Sequence, residues 1–148
     1  GNELGASFGM VQLERLDQNI ASRQANFERQ CKFFDNYPDY FSNPQETYGC
    51  NTAWLAFPIL IKEGTPFTRK EFQIFLEKRN IQTRVVFTGN ILRQPMCQNI
   101  SKRVLEEGYP NADRVMARGV LLPLHHGMTE SMFSRFHATI HMFTEQYD

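Results

Sequence analysis

The stretch Thr52–Phe87, TAWLAFPILIKEGTPFTRKEFQIFLEKRNIQTRVVF, decides the fold of this chain. Its first part, Thr52–Lys62, is short, apolar and rich in aromatic residues, which predicts a strand. Pro58 within that strand indicates an edge position or a bulge, because proline cannot donate a backbone hydrogen bond. Its last part, Ile81–Phe87, predicts a second strand.

The segment between these two strands predicts a helix with a defined start and end. Thr68 and Glu71 have the spacing of a capping box, in which each side chain bonds the backbone of the other residue. Asn80 is expected to close the helix. The residues expected on its buried face are Phe72, Phe75 and Leu76.

Towards the C-terminus the same alternation of helix and strand continues. A short helix is predicted over Asn111–Arg118, with Asn111 as its cap, and a third strand over Val120–Leu124. Thr129 is expected to cap a last helix. Its apolar face would consist of Met132, Phe133, Phe136, Ile140 and Phe143. The chain therefore predicts an α/β fold, a two-layer sandwich of a small three-stranded sheet and helices.

Residues 1–35 read as one long helix that precedes a small α/β domain at residues 36–148. Such a helix would be ~45 Å long at ~1.5 Å per residue, which exceeds the width of a domain of this size. We therefore expect part of it to pack on a domain outside this chain. Gly1, Gly5 and Gly9 share one face, which indicates either a frayed terminus or a close contact with another domain or subunit.

The composition excludes several classes of protein. The 148 residues carry 16 basic and 16 acidic side chains, so a nucleic-acid partner is not expected. No apolar run approaches the ~20 residues of a membrane span, and the start, GNELGASFGM, does not resemble a signal peptide. The three cysteines, Cys31, Cys50 and Cys97, are dispersed, which favours a cytoplasmic protein without a disulfide framework or a metal site.

No catalytic set is visible in the sequence, and we assign no catalytic residue. His137 and His141 have a metal-compatible spacing, but no HExxH motif surrounds them, so a surface or half-buried pair is the better interpretation. His125 and His126 lie in a turn between a strand and a helix, where site residues often occur.

The best candidate site is the segment 83–95, which follows the second predicted strand. Arg84 and Arg93 would supply forked donors for a phosphate or carboxylate, and Asn90 and Gln94 could bind sugar hydroxyls or carbonyls. Gly89 would allow a tight turn. The alternative is an ordinary solvated connection.

This segment also carries a family resemblance. Asn80–Phe87, Gly89-Asn90 and Arg93–Pro95 form the pattern "TR…F.GN..RQP". It resembles the C-terminal domain of the DegT/StrS family of PLP-dependent sugar aminotransferases, and within it the nucleotide-sugar 3-dehydratases. Two further segments, Phe8–Asp17 and Ala112–Thr129, are similar to other parts of that domain, so the resemblance covers essentially the whole chain.

The resemblance implies the fold of the small domain of fold type I aminotransferases, with a missing N-terminal PLP domain and a homodimer. It implies PLP or PMP as the cofactor of the full-length protein, none of it attached covalently to this chain, and removal of the C3 hydroxyl of a 4-keto-6-deoxy nucleotide sugar. The substrate-binding residues would be Arg84, Asn90, Arg93 and Gln94. The alternatives are a sugar aminotransferase of the same family and a free-standing binding domain. The residues that bind the cofactor stay unassigned.

Overall fold

The computed structural model describes residues 2–147, which form a small antiparallel sheet and five α-helices. The helices are α1 (Glu3–Glu14), α2 (Leu16–Phe34), α3 (Arg69–Glu77), α4 (Pro110–Arg118) and α5 (Glu130–Thr144). The strands are β1 (Phe41–Ser42), β2 (Phe57–Ile61), β3 (Arg84–Val85) and β4 (Gly119–Leu122). Two single 3₁₀ turns, Ile91–Arg93 and Pro95–Cys97, follow β3.

The sheet has four strands in the order β1-β2-β4-β3, so the prediction of three strands was wrong. The strand that was not predicted, β1, has only two residues, and it pairs with Leu60 and Ile61 of β2. Both β2 and β3 run antiparallel to β4. They therefore run in the same direction, and the connection through α3 crosses over the strand that lies between them.

Pro58 lies in β2, which is an interior strand by order, although an edge or a bulge was predicted. Pro58 pairs with Leu121 of β4, whereas β1 reaches only Leu60 and Ile61. At Pro58, β2 is therefore paired with β4 but not with β1. Proline lacks a backbone N–H, and on the unpaired side no hydrogen bond between strands needs one.

One face of the sheet forms the core together with the helices, which confirms the α/β fold of sheet and helices. Alternate residues of β2, Phe57, Ile59 and Ile61, are at most 2% exposed. Aromatic rings from α2, α3 and α5 cover them, and most of these rings contact one another at tilted or edge-on angles. The predicted face of α5 is buried at four of its five positions, but Met132 is 50% exposed.

The helix ends follow the capping residues only in part. The predicted capping box of α3 is present between Thr68 and Glu71. Asn80 has a positive φ of 57° after the last turn, and the N–H of Ile81 bonds the carbonyl of Leu76, which ends the helix as predicted. The predicted cap Asn111 was wrong. The helix α4 begins one residue earlier at Pro110, whose fixed φ suits a first helical position.

The predicted long helix is interrupted. Arg15 separates α1 from α2, and α1 buries none of its residues. Its apolar side chains Leu4, Phe8, Met10 and Leu13 are each about 70% exposed. An added Cβ at Gly9 would meet nothing within 4 Å, and one at Gly5 would meet only Oδ1 of the cap residue Asn2, at 3.1 Å. Gly1 lies outside the described residues. A partner for this face stays a prediction.

A half-buried histidine lies between α2 and α5. The ring of His137 stacks on Phe33 with 3.8 Å between the ring centres, and its Nε2 donates to Oε1 of the buried Gln30 at 2.9 Å. Burial lowers the pKa of His137 to about 4, the positive charge of Arg29 acts in the same direction, and Glu130 opposes both. The folded state therefore favours the neutral form of the His137 ring.

This histidine is expected to make the fold less stable in acid. As the pH falls from 7, the unfolded chain takes up the proton near pH 6.5 while the folded chain does not, so stability is lost down to the folded pKa of about 4. Since the ring is half exposed, we expect a loss of only about 1 kcal/mol. The measurement is urea unfolding of wild type and His137→Gln at pH 7 and pH 4.5.

The carboxylates titrate in both proteins, so the difference between the two losses of stability reports on His137 alone. The exposed His126 provides a matched control as His126→Gln, which should keep the full pH dependence of wild type. An equal acid sensitivity of wild type and His137→Gln would contradict the assignment.

Candidate functional site

The segment 83–95 begins at a fixed point on α3. The backbone N–H of Thr83 donates to Oε1 of Glu77 at 2.5 Å, and its hydroxyl bonds the same oxygen at 3.0 Å. Gln73 donates to that hydroxyl at 3.1 Å. The side chains of α3 thus hold the start of β3 in place before the chain leaves the sheet.

Phe87 follows β3 in a backbone conformation that non-glycine residues rarely adopt. Its φ is 47°, and its side chain is 80% exposed. Because the ring is exposed, core packing does not compensate for the strained backbone conformation. Strain of this kind occurs preferentially at functional sites. Phe87 therefore marks the segment as a candidate ligand surface.

Gly89 lies where the segment passes closest to α4. Its φ is +64°, and a Cβ at this position would come within 2.4 Å of the side chain of Met116 and within 2.8 Å of its Cα. Both the positive φ and the close approach to α4 require glycine. The predicted tight turn is confirmed.

One carboxylate holds the next part of the segment. Asp113 of α4 accepts from Nδ2 of Asn90 at 2.8 Å and from Nε and Nη2 of Arg93 at 2.9 and 2.7 Å. The Arg93 and Asn90 donors lower the pKa of Asp113 to about 2, so this carboxylate stays charged. We call these three residues the Asp113 brace. It fixes the segment 90–93 to α4.

Gln94 lies at the end of the segment. Its Nε2 donates to the carbonyl of Thr88 at 2.8 Å, which closes the segment on itself. Gln94 also lines a small open cavity of about 340 Å³ together with Arg69, Phe87 and Met116. We call this the loop cavity.

Arg84 lies on a different and larger cavity. An open cavity of about 720 Å³, the main cavity, is lined mostly by apolar residues of β3, β4 and the following turn. Its polar lining residues are Gln82, Arg84 and His125. Among the residues that the structure describes, the guanidinium of Arg84 has no hydrogen bond and no ion pair, so its donors are available. An apolar cavity with a few such polar groups is typical of a small-molecule site.

The four predicted binding residues therefore differ in their surroundings. Arg84 lines the main cavity and Gln94 lines the loop cavity, and Val85 and Phe87 line both. Asn90 and Arg93 meet on Asp113, a residue that the sequence analysis did not select. The only feature of the sequence that pointed to Asp113 was its position as an acidic residue near the start of a predicted helix. A ligand contact by any of the four stays a prediction.

His141, the second member of the predicted histidine pair, contacts two neighbouring side chains. Nδ1 of His141 lies 3.2 Å from the hydroxyl of Tyr37, and its Nε2 pairs with Glu145 at 3.2 Å. Across residues 2–147, no group of three or more His, Cys, Asp or Glu is placed to hold a metal ion. None of the described helices is both long and apolar enough for a membrane span.

The chain is similar to known proteins over nearly its whole length. The model of the DegT/DnrJ/EryC1/StrS aminotransferase family matches residues 2–141, which is nearly the whole chain. The chain belongs to this family. The "TR…F.GN..RQP" resemblance of the segment 83–95 is thereby confirmed at the level of the family.

Two curated relatives are similar to the chain over most of its length. The lipopolysaccharide biosynthesis protein RfbH of Salmonella typhimurium is 32% identical over 127 residues, which are 86% of this chain and 29% of the relative. The dTDP-4-dehydro-2,6-dideoxy-D-glucose 3-dehydratase of Saccharopolyspora spinosa is 30% identical over 130 residues, 88% of this chain and 28% of the relative. The chain thus spans about three-tenths of the length of these relatives.

A solved structure has the same fold. The GDP-4-keto-6-deoxy-D-mannose-3-dehydratase of E. coli with bound hydrated PLP matches with a TM-score of 0.75 and 24% identity. The match covers 88% of this chain and 32% of that protein. The sheet and helices described above are therefore one part of a larger fold in that relative.

The main cavity and the loop cavity do not by themselves fit a complete PLP site. Covalent attachment of PLP to a protein requires a lysine amine, and no lysine lines either cavity among residues 2–147. The groups present are a guanidinium, amides, an imidazole and apolar walls. They fit the recognition of a substrate better than the attachment of a cofactor.

Proposed function

We propose that this chain is the small C-terminal domain of a PLP- or PMP-dependent enzyme that removes the C3 hydroxyl of a 4-keto-6-deoxy nucleotide sugar. Such a reaction belongs to the biosynthesis of deoxysugars for surface polysaccharides. Family membership and the 3-dehydratase names of similar proteins support this proposal. The observation that carries it is the unpaired Arg84 on an apolar cavity beside the strained Phe87.

We propose that the part of the protein outside this chain binds the cofactor. When bound, PLP or PMP supplies an electron sink next to the sugar. We also propose that the full-length protein is a homodimer in the cytoplasm. The part of this chain is to bind and orient the substrate and to shield it from water along the main cavity.

Within the main cavity, Arg84 is proposed to bind the diphosphate of the substrate. A guanidinium offers a planar fork of donors that matches phosphate oxygens, and here no protein carboxylate competes for it among the described residues. The apolar residues Leu55, Leu121 and Pro123 would contact the less polar faces of the sugar or base. Gln94 is proposed to contact the substrate from the loop cavity.

Asn90 and Arg93 have less freedom to bind the substrate than the sequence suggested. Their hydrogen bonds to Asp113 leave Arg93 with exposed donors but a neutralised charge. We propose that they act on the substrate mainly by fixing the segment between Arg84 and Gln94.

A sugar aminotransferase is the second candidate, because the family model itself is described as an aminotransferase family. The reaction product of the full-length protein distinguishes the two. A product that has lost the oxygen at C3 supports the dehydratase, whereas a product with nitrogen at C4 and the C3 oxygen retained supports the aminotransferase.

Replacement of Arg84 in the full-length protein tests the site. We expect Arg84→Ala to raise KM for the nucleotide sugar about 10- to 100-fold, because a hydrogen-bonded charge pair to the diphosphate is lost. Arg84→Lys should recover only part of this loss, since an ammonium cannot donate as a fork. The measurement is steady-state kinetics with the 4-keto-6-deoxy nucleotide sugar.

Arg103 offers a matched control, because it is exposed and lines neither the main cavity nor the loop cavity. Arg103→Ala should keep the KM of wild type. A KM for Arg84→Ala equal to that of Arg103→Ala would refute the proposed diphosphate contact.

A further inference from the structure

His125 lies at the boundary between two cavities. It follows β4 by three residues, and it lines the main cavity. It also lines a second cavity of about 230 Å³, the side cavity, which Met128, Met132 and Arg135 line as well. Gln82 and Pro123 are shared in the same way. A ligand in the main cavity would therefore lie beside His125.

The backbone around His125 is held by side chains from the other end of the chain. Nδ2 of Asn26 in α2 donates to the carbonyl of His125 at 2.8 Å. Nη1 of Arg23 donates to the carbonyl of Leu124 at 3.2 Å and to that of Trp54 at 2.9 Å. The turn is thus fixed by long-range hydrogen bonds although the ring of His125 itself is exposed.

The ring of His125 is oriented by a bond within the turn. The backbone N–H of Gly127 donates to Nδ1 at 3.1 Å, so Nδ1 acts as the acceptor. A neutral imidazole with an accepting Nδ1 carries its hydrogen on Nε2. No described residue accepts from Nε2, so His125, which lines the main cavity, keeps one N–H donor free for a ligand.

We propose that His125 is a substrate-binding residue whose Nε2–H donates to an oxygen of the nucleotide sugar in the main cavity. This inference rests on the proposed function and adds a contact to it. A donor held in place before the ligand arrives loses little side-chain entropy on binding. Besides its bond to Gly127 within the turn, His125 lines the same cavity as Arg84, the residue proposed to bind the diphosphate.

Two substitutions separate a contact with the ligand from a role in the turn. In His125→Asn, the side-chain oxygen can replace Nδ1 as the acceptor for Gly127, but nothing replaces the Nε2 donor. In His125→Gln, the amide nitrogen reaches towards the position of Nε2, but the acceptor near Gly127 is lost. The neighbouring His126, which lines neither cavity, provides the control His126→Asn.

The experiment measures KM, kcat and Tm of these variants in the full-length protein with the 4-keto-6-deoxy nucleotide sugar. We expect His125→Asn to raise KM about tenfold at an unchanged Tm. His125→Gln should lower Tm yet keep a KM closer to that of wild type. His126→Asn should match wild type in both.

Other outcomes overturn the inference. A wild-type KM for His125→Asn would show that Nε2 does not contact the substrate. A raised KM in His125→Gln with an unaffected His125→Asn would assign His125 to the turn alone. If the wild-type protein neither binds nor converts the nucleotide sugar, the proposed function fails, and the inference fails with it. An active wild type with an unaffected His125→Asn removes only the inference.

Discussion

Gly89→Ala is expected to lower the free energy of unfolding by about 3 kcal/mol and to displace the segment 83–95 from α4. An alanine at the positive φ of +64° costs about 1–2 kcal/mol. The new Cβ would also come within 2.4 Å of the Met116 side chain and 2.8 Å of its Cα, and relief of such an overlap costs about 1–3 kcal/mol more. The overlap with a Cα cannot be relieved by a side-chain rotation alone.

Gly108→Ala is the matched control for this substitution. Gly108 has nearly the same φ of +67°, but an added Cβ there would meet nothing within 4 Å. Gly108→Ala should therefore lower the free energy of unfolding only by the backbone cost of about 1–2 kcal/mol. Urea unfolding of the three proteins measures both, and equal losses in the two variants would show that the approach of Gly89 to α4 is not tight.

Phe34→Ala is expected to lower the free energy of unfolding by about 3–5 kcal/mol, since it empties the centre of the core. Phe34 is 1% exposed at the end of α2, and its ring contacts a ring from β1, one from β2 and one from α5. The distances between ring centres to Phe41, Phe57 and Phe136 are 5.3, 5.4 and 6.2 Å. All three contacts would be lost at once.

Phe8 in α1 provides the control for this prediction. It is 68% exposed, so Phe8→Ala should change the stability of the 148-residue chain by at most about 0.5 kcal/mol. Urea unfolding followed by circular dichroism measures both variants. A similar loss in Phe8→Ala and Phe34→Ala would mean that α1 packs on the domain within this chain, contrary to the exposed surface of α1.

The parts of the fold that could be predicted depend on local signals. The capping box at Thr68 and the cap at Thr129 appear where expected, because their hydrogen bonds join residues three positions apart. The strand β1 could not be predicted, because its two residues are extended only through pairing with β2. The interruption at Arg15 gave no signal either, since apolar residues continue at helical spacing on both sides of it.

The same distinction applies to the candidate site. The segment 83–95 could be selected from its arginines, amides and glycine, and the structure places it beside two cavities. The partner of Asn90 and Arg93 could not, because Asp113 lies about twenty positions away and its approach depends on how α4 packs. The sequence shows which donors are present, but the fold decides which of them remain free.

The Asp113 brace limits which segments can be exchanged between members of this family to make a chimaera. A chimaera that received residues 83–95 alone would carry Arg93 and Asn90 into a host without their carboxylate, unless the host has an acid at the same place on its helix. The transplanted segment would then lose its anchor, although every residue of the motif had been transferred. The unit that can be exchanged is the segment together with α4, and a residue at position 113 belongs to the motif as much as those at 84–95.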